Sequence, residues 1–416
     1  MKGQQLSLWG KEDDQDFFKD KRDWSAAKHR ILLKYIQSFC YTLNSEYINY
    51  VDGFAGKGTY EKGIGLENFI NQSKFWSKYK SEVKDTYGSP LIALKCSQLL
   101  ASEGRSKLKC FFIEDNKNRN IELKSNCQSF KGIVDYQIFE PQPFSDILDS
   151  LLSKLNNYPT LFFLDTFGVK GITLDQIKSI GQYISQSKGE LFLLFHNRGV
   201  ARHAGYLTSE CDAKTAKTYM QNLTKLLGNN SEYTWQEQWY KLKDQPQQFE
   251  RWALDYFKSQ MRHECYFKGV TSFEIKEEYN DSRPQYSIVV GSNYPKKAFG
   301  YYLNEFVWEE EKSLFYKDSY QGIQSFLEQE WNQEQKRRIA EAKQKAIDFL
   351  GNNQNDWISF EDAITQMILN SNRIGRLKRT QYYEDILGEL YQEGKLEIKN
   401  PGSRKRYTQK SLFRLK

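Results

Sequence analysis

Nothing in this sequence approaches the roughly 18 to 20 consecutive apolar residues needed to span a bilayer. That argues against a membrane protein built on helices. The opening residues 1–23 are polar and mixed in charge. They lack the apolar run of a secretory leader, and their acidic residues are foreign to a transit peptide. A cytoplasmic chain with a short N-terminal tail is expected. Cysteine is sparse and irregular: Cys40, Cys96, Cys110, Cys127, Cys211 and Cys265 include no C-x-x-C pair, so reduced, mostly buried thiols are expected. His29, His196, His203 and His263 form neither H-x-x-x-H nor H-E-x-x-H, and no metal site is expected.

What the chain does hold is enough apolar surface for a core. Hydrophobic residues make up 39% and aromatics 15% of 416 residues, sufficient for about two to three domains. The net charge of +7 is unevenly spread. From residue 335 onward there are 17 Lys/Arg against 10 Asp/Glu, so the whole surplus lies in the C-terminal segment. A basic module on a neutral body suggests an acidic partner, nucleic acid first among them.

Strand-like and helix-like runs alternate through about residue 195. Trp24–Leu43 reads as an amphipathic helix on Ala27, Ile31, Tyr35 and Phe39, with Lys28, Arg30 and Lys34 elsewhere around it. Tyr47–Val51, Lys109–Ile113, Ile133–Phe139, Thr160–Leu164 and Leu191–Phe195 read as strands. TLFFL and LFLLF are apolar throughout, the mark of a parallel sheet covered on both faces. Ser272–Glu277 and Gln285–Val290 flank a turn-rich link and predict an antiparallel hairpin. The expected fold is α/β: a class I methyltransferase (Rossmann-like) sheet with a terminal antiparallel hairpin over residues 24–310, with insertions near 60–88 and 205–248. A helical connector should follow over 311–350. Helix, helix and two short strands around a basic Pro-Gly turn over 351–416 outline a winged helix.

Ligands on such sheets bind at the carboxyl ends of the strands, and four motifs stand there. Asp52-Gly53-Phe54-Ala55-Gly56-Lys57-Gly58 follows the first strand. Its glycines allow positive φ and close backbone approach, and Asp52 is placed to pair with a ligand amino group. Glu114-Asp115 follows the second strand, where an acid accepts hydrogen bonds from ribose hydroxyls. Asp165-Thr166-Phe167-Gly168 follows the fourth. An Asp there can accept from an exocyclic amine, and Phe167 can stack on a base. His196-Asn197-Arg198 follows the fifth, either orienting a substrate or capping a helix. Arg404, Lys405 and Arg406 in the wing, with Arg376, Lys378 and Arg379 before the preceding helix, are candidate phosphate contacts.

The segments KHRILLKYI, YVDGFAGKG, YGSPLIAL, FFIEDN, FFLDTFGVKGI and YSIVVGSNYPKKAFGYYL occur in that order. In this the chain resembles the three-Cys-motif partner protein (TcmP) family over about residues 24–305. The resemblance implies a class I S-adenosylmethionine-dependent methyltransferase fold. It implies Asp52, Gly53, Phe54, Ala55, Gly56 and Gly58 as the cofactor loop and Glu114 as the ribose acid. It also places Lys28 and His29 on the helix before the first strand, near the same pocket. The family is named for a partner carrying a three-cysteine motif, similar to radical-SAM proteins, and is associated with mobile elements and phage defence. Thr166 stands where the family pattern D-P-F-G has Pro, and its absence frees the backbone φ. Methyl transfer to nucleic acid is therefore the leading expectation. The alternative is a degenerate SAM-binding scaffold in a multi-protein complex, with a metal-dependent nuclease last.

Overall fold

The computed structural model describes residues 20–43, 45–66, 83–166, 168–209, 212–228, 234–318, 324–351, 357–370, 373–399 and 411–416. The chain forms two compact units, one ending at Asp165 and one starting at Thr166.

In the first unit, β1 (Tyr47–Asp52) runs parallel to both β2 (Lys107–Phe112) and β4 (Thr160–Leu164). β2 in turn runs parallel to β3 (Tyr136–Ile138). Tyr50, Val51, Phe111, Phe112, Phe162 and Leu164 are all buried, so the unbroken apolar runs reflect a sheet covered on both faces. The helix Ser89–Ser102 starts at extended Gly88, carries Pro90 in its first turn and is fixed to β2 by Ser97, which donates to the Leu108 carbonyl at 2.7 Å. The helix Asp23–Leu43 departs from its amphipathic reading. Trp24, Ile31, Leu32 and Tyr35 are buried, but so are Lys28, His29, Lys34 and Gln37. Its partners lie on more than one side: the helix Ser89–Ser102, and loop residues Tyr60 and Gly65, which approach His29, Ala26 and Arg30.

In the second unit, β7 (Tyr286–Ser292) pairs antiparallel with β5 (Glu190–His196) and with β6 (Gly269–Ile275), which confirms the expected hairpin. Among the described residues the sheet has seven strands in the order β3-β2-β1-β4-β5-β7-β6. A parallel set closed by one reversed strand is the sheet of a class I methyltransferase, and the chain has that scaffold. Between β5 and β6, the expected insertion carries the helices Ala213–Leu227 and Trp235–Leu242, which bury Leu223, Leu227, Trp235 and Trp239.

The C-terminal segment runs helix Gln324–Gly351, β8 (Ile358–Ser359), helix Phe360–Asn370, a helical stretch from Arg379 to Gln392, β9 (Leu396–Lys399) and β10 (Leu412–Leu415). Its three strands are ordered β8-β10-β9 and pair antiparallel. The expected connector is packed rather than extended. Trp308, Phe315 and Trp331 form one cluster, with the Trp308 indole donating to Gln335 Oε1 at 3.1 Å. Buried Arg338 ties this cluster to its surroundings, donating to Glu311 (2.9 Å), Tyr279 (3.1 Å) and the Arg376 carbonyl (3.0 Å). Cys40, Cys96, Cys110, Cys127 and Cys265 are free and buried, while Cys211 lies outside the described residues. Among the described residues no helix is long and apolar enough to cross a membrane.

Trp331 is 3% exposed at the centre of the aromatic cluster. Trp331→Ala should destabilise the protein by about 3–5 kcal/mol, seen as a lower urea midpoint with the slope unchanged.

Candidate cofactor site

The site begins with hydrogen bonds that fix three strand ends side by side. Asp52 is the last residue of β1, opposite Phe112 of β2 and Phe163 of β4. Gly53 N–H donates to the Phe163 carbonyl at 3.1 Å, and Ala55 N–H to the Ile113 carbonyl at 2.9 Å, so the loop is sewn to both neighbours. A Cβ on Gly53 would lie 2.5 Å from Leu164 Cδ2, closer than packed atoms allow. Gly56 and Gly58 have φ of 59° and 79°, the left-handed region that glycine enters without strain. Ala55 is buried, and Phe54 is half-buried with its ring centroid 5.8 Å from that of Phe144.

Asp52 is fully buried. It accepts from Phe54 N–H at 3.2 Å, from the Tyr50 hydroxyl at 3.4 Å and from the Ser89 side chain. Burial nevertheless dominates and pushes its carboxyl up to about 7, with a smaller push from the charge of Asp165. Glu114, two residues past β2, is also buried. Its Oε1 accepts from Asn116 N–H at 2.9 Å and Arg119 Nε at 2.8 Å. Burial raises its carboxyl, and Arg119 opposes that rise. Asp115 points outward, with 62% of its side chain exposed and an ion pair to Arg119 at 3.4 Å. Of the two candidate acids, Glu114 is the inward one.

Asp165 follows β4 directly, and its carboxylate is engaged by the Lys28 ammonium. Lys28 is 1% exposed, whereas 21% of the Asp165 side chain is open. The Lys28 ammonium also lies 5.1 Å over the Trp24 ring. Around this pair sit Tyr60, hydrogen-bonded to Ser25, and His29, 6.0 Å from Tyr60 between ring centroids. His29 is buried and its Nδ1 has no partner among the described residues. Burial, followed by the charges of Lys21, Lys28 and Arg30, holds its imidazole well below the usual range, hence neutral. Lys21 donates to the Asp85 and Tyr87 carbonyls at 3.1 and 2.9 Å, and burial lowers its ammonium to about 7.

Motif reading from β1, β2 and β4 left Lys28 outside the transfer site, although the sequence held a signal. Trp24, Lys28, Ile31 and Leu32 occupy one face at i, i+4, i+7 and i+8, so a lysine interrupts an apolar stripe. Ser25, Tyr60 and Ser89 carry no such signal.

The remaining candidates lie in the second unit. Thr166, in place of Pro, is buried and aims its hydroxyl at the Gly168 and Leu194 carbonyls at 3.2 and 3.3 Å. His196 Nε2 lies 2.8 Å from Gly168 N and 2.6 Å from the Thr166 carbonyl; it accepts from one or donates to the other, according to tautomer. These bonds restrain the loop in place of a proline ring. Asn197 opens the helix Asn197–Gly205 and donates to the Pro284 carbonyl at 3.2 Å, while Arg198 donates to the Arg283 carbonyl at 2.9 Å. Both side chains thereby tie the start of this helix to the segment before β7. Phe167, Arg404, Lys405 and Arg406 lie outside the described residues. Arg376 pairs with Glu341 at 3.0 Å, the Lys378 ammonium lies 4.2 Å over Trp308, and the Arg379 guanidinium lies 5.2 Å over Phe360. Glu341, Trp308 and Phe360, all in the second unit, thus engage these three cations.

No family model and no curated protein matches the chain. Solved structures similar to it include protein LPL1258 from Legionella pneumophila, of family DUF519, at 12% identity over 71% of this chain and 93% of that one, with a TM-score of 0.41. The plantazolicin methyltransferase BamL, in complex with a triazolic desmethylPZN analog and SAH, is similar at 9% identity over 65% and 86%, with a TM-score of 0.26. The DszA carbon methyltransferase is similar at 11% over 59% and 47%, with a TM-score of 0.25. Likenesses this distant carry no argument, and the fold assignment stands on strand order and register.

Two buried charges give opposite pH dependences. The Asp52 carboxyl is raised from 3.8 to about 7, so the folded state holds its proton longer than the unfolded one. Its contribution to stability therefore falls as pH rises from about 4 to 7, by roughly 4 kcal/mol at most. The Lys21 ammonium is lowered from 10.5 to about 7, so its contribution recovers as pH rises above 7. Thermal melts of Asp52→Asn should gain most over wild type above pH 7, and melts of Lys21→Met most below it.

Proposed function

We propose that this chain binds S-adenosylmethionine on the Asp52–Gly58 loop and methylates nucleic acid. The observation that carries the reading is the row of three acids, Glu114, Asp52 and Asp165, at the carboxyl ends of the adjacent strands β2, β1 and β4, beside a loop whose Gly56 and Gly58 take positive φ and whose Gly53 packs against Leu164. The residues suit such a ligand: Gly56 and Gly58 let the loop backbone turn tightly, Asp52 complements an ammonium, and Glu114 accepts from ribose hydroxyls. When bound, S-adenosylmethionine supplies an electrophilic methyl group. In this proposal Asp165 orients the acceptor, and the aromatic ring of Phe167 is assigned to stack on a base. The order helix, strand, helix, helix, strand, strand at the C-terminus is compatible with a winged helix, and the proposal assigns phosphate contact to Arg404, Lys405 and Arg406 on their charge. The resemblance to the three-Cys-motif partner family extends the proposal to a three-cysteine partner protein and to a role in phage defence or a mobile element.

One observation favours the scaffold alternative. Lys28 already engages Asp165, and a carboxylate held by a buried cation is less available to an acceptor.

Calorimetry should show S-adenosylmethionine binding to wild type. Because Asp52 must be ionised to hold an ammonium, affinity should rise up to about tenfold per pH unit below 7 and level off above it. Gly53→Val should abolish binding. Asp165→Ala should keep binding and lose transfer of labelled methyl to DNA or RNA; equal transfer by this variant sinks the catalytic role. Replacing Arg404, Lys405 and Arg406 by Ala should weaken nucleic-acid binding and flatten its salt dependence by about 0.9 in log–log slope per lost phosphate contact on duplex DNA. An unchanged slope removes the wing from the interface.

A further inference from the structure

We propose that Lys28 is a tethered substitute for the acceptor: its ammonium occupies Asp165 and yields that carboxylate to an incoming N–H or O–H donor, so the acceptor is a nitrogen or oxygen nucleophile that carries a hydrogen. The inference rests on the methyltransferase reading above and names the acceptor chemistry of the same site.

The geometry of the pair carries the argument. Lys28 is buried behind Asp165, and the open surface of the pair belongs to the carboxylate. Whatever reaches the strand end therefore meets Asp165 first. The carboxylate now accepts an N–H from a nitrogen. A group that replaces Lys28 without leaving an unmet charge must also donate hydrogen bonds. An amine or a hydroxyl does this, whereas a carbon or thioether nucleophile does not.

Lys28 can withdraw while its helix stays in place, because its charge sits on a flexible four-carbon stem. The Trp24 ring, already 5.1 Å from the ammonium, offers a cation–π contact as the ion pair opens. In the transfer itself, the acceptor's lone pair would form its bond to the methyl carbon as the C–S bond of bound S-adenosylmethionine breaks, and the proton shed by the acceptor would leave through Asp165 to water. No further reactant is required. Lys28 is thus a positioning residue, which keeps Asp165 aimed and satisfied until the acceptor arrives.

The test uses the full chain and two probes, S-adenosylhomocysteine and sinefungin. Sinefungin carries a protonated amine on the carbon that replaces sulfur. Calorimetry should show that Lys28→Met raises the preference for sinefungin about tenfold, because the competing cation is gone. Affinity for S-adenosylhomocysteine should stay as in wild type. Lys28→Arg should keep the wild-type preference, and adding Asp165→Asn to Lys28→Met should erase the gain. A purely structural role for Lys28 would weaken both probes together. An unchanged or reduced preference in folded Lys28→Met, or in Lys28→Gln should the Met variant not fold, overturns the inference. Wild type that fails to bind S-adenosylhomocysteine overturns the cofactor reading instead, so the two failures are distinguishable.

Discussion

β1 is hydrogen-bonded along both edges, to β2 on one side and β4 on the other, and the candidate site depends on that double pairing. Register puts Asp52 level with Phe112 and Phe163. Chain continuation then places Glu114 two residues beyond β2 and Asp165 one residue beyond β4. No side-chain interaction is needed to gather the three carboxylates, because parallel strands that start together end together. The glycine loop follows from the same pairing. Its first amides are claimed by Phe163 and Ile113, so it must turn tightly under Leu164 and has no room for a Cβ at Gly53.

Gathering acids at one end of a buried sheet creates an electrostatic problem, and the helix Asp23–Leu43 answers part of it. Among the described residues Asp52 has hydrogen-bond donors but forms no ion pair, and burial raises its carboxyl to about 7. Glu114 has Arg119, and Asp165 has Lys28. The cations come with their own cost. Lys21, Lys28 and Arg30 crowd His29 and help to keep it neutral, and Lys21 is itself depressed by burial. A buried ion pair is weak evidence of stabilisation, since desolvation of both partners can exceed their attraction. Lys28 is therefore better explained by what it does to Asp165 than by a gain in folding energy.

How far the sequence revealed this arrangement depended on which physical signal each part carries. TLFFL and LFLLF were legible as strands because a sheet covered on both faces leaves no polar position. The hairpin was legible from two β-rich runs around a turn-rich link. The acids were legible because a parallel sheet gathers its chemistry at carboxyl ends. Lys28 was only partly legible: the stripe through Ala27, Ile31, Tyr35 and Phe39 left it off the apolar face, while the family resemblance put it near the pocket. A helix covered on several sides has no solvent face, and one-stripe periodicity then misplaces every polar residue on it. Asp115 shows the converse: adjacent acids look equivalent in sequence, yet the turn after β2 sends one inward to Arg119 Nε and the other into solvent.

Thr166 illustrates why a motif departure is a weaker argument than it looks. Proline at that position fixes φ covalently. Threonine leaves φ free but adds a hydroxyl, here buried and directed at the Gly168 and Leu194 carbonyls. His196, which sequence reading left between substrate contact and helix cap, makes no side-chain cap bond among the described residues and holds the Thr166 and Gly168 backbone. The same restraint is thus supplied by hydrogen bonds from β5 instead of by a ring. A loop held that way stays ordered only while its partners are in place, so His196 and Thr166 form one unit. The absence of proline then says little about whether methyl transfer was lost. The stronger evidence on that question is the cation already resting on Asp165, and whether an acceptor can displace it.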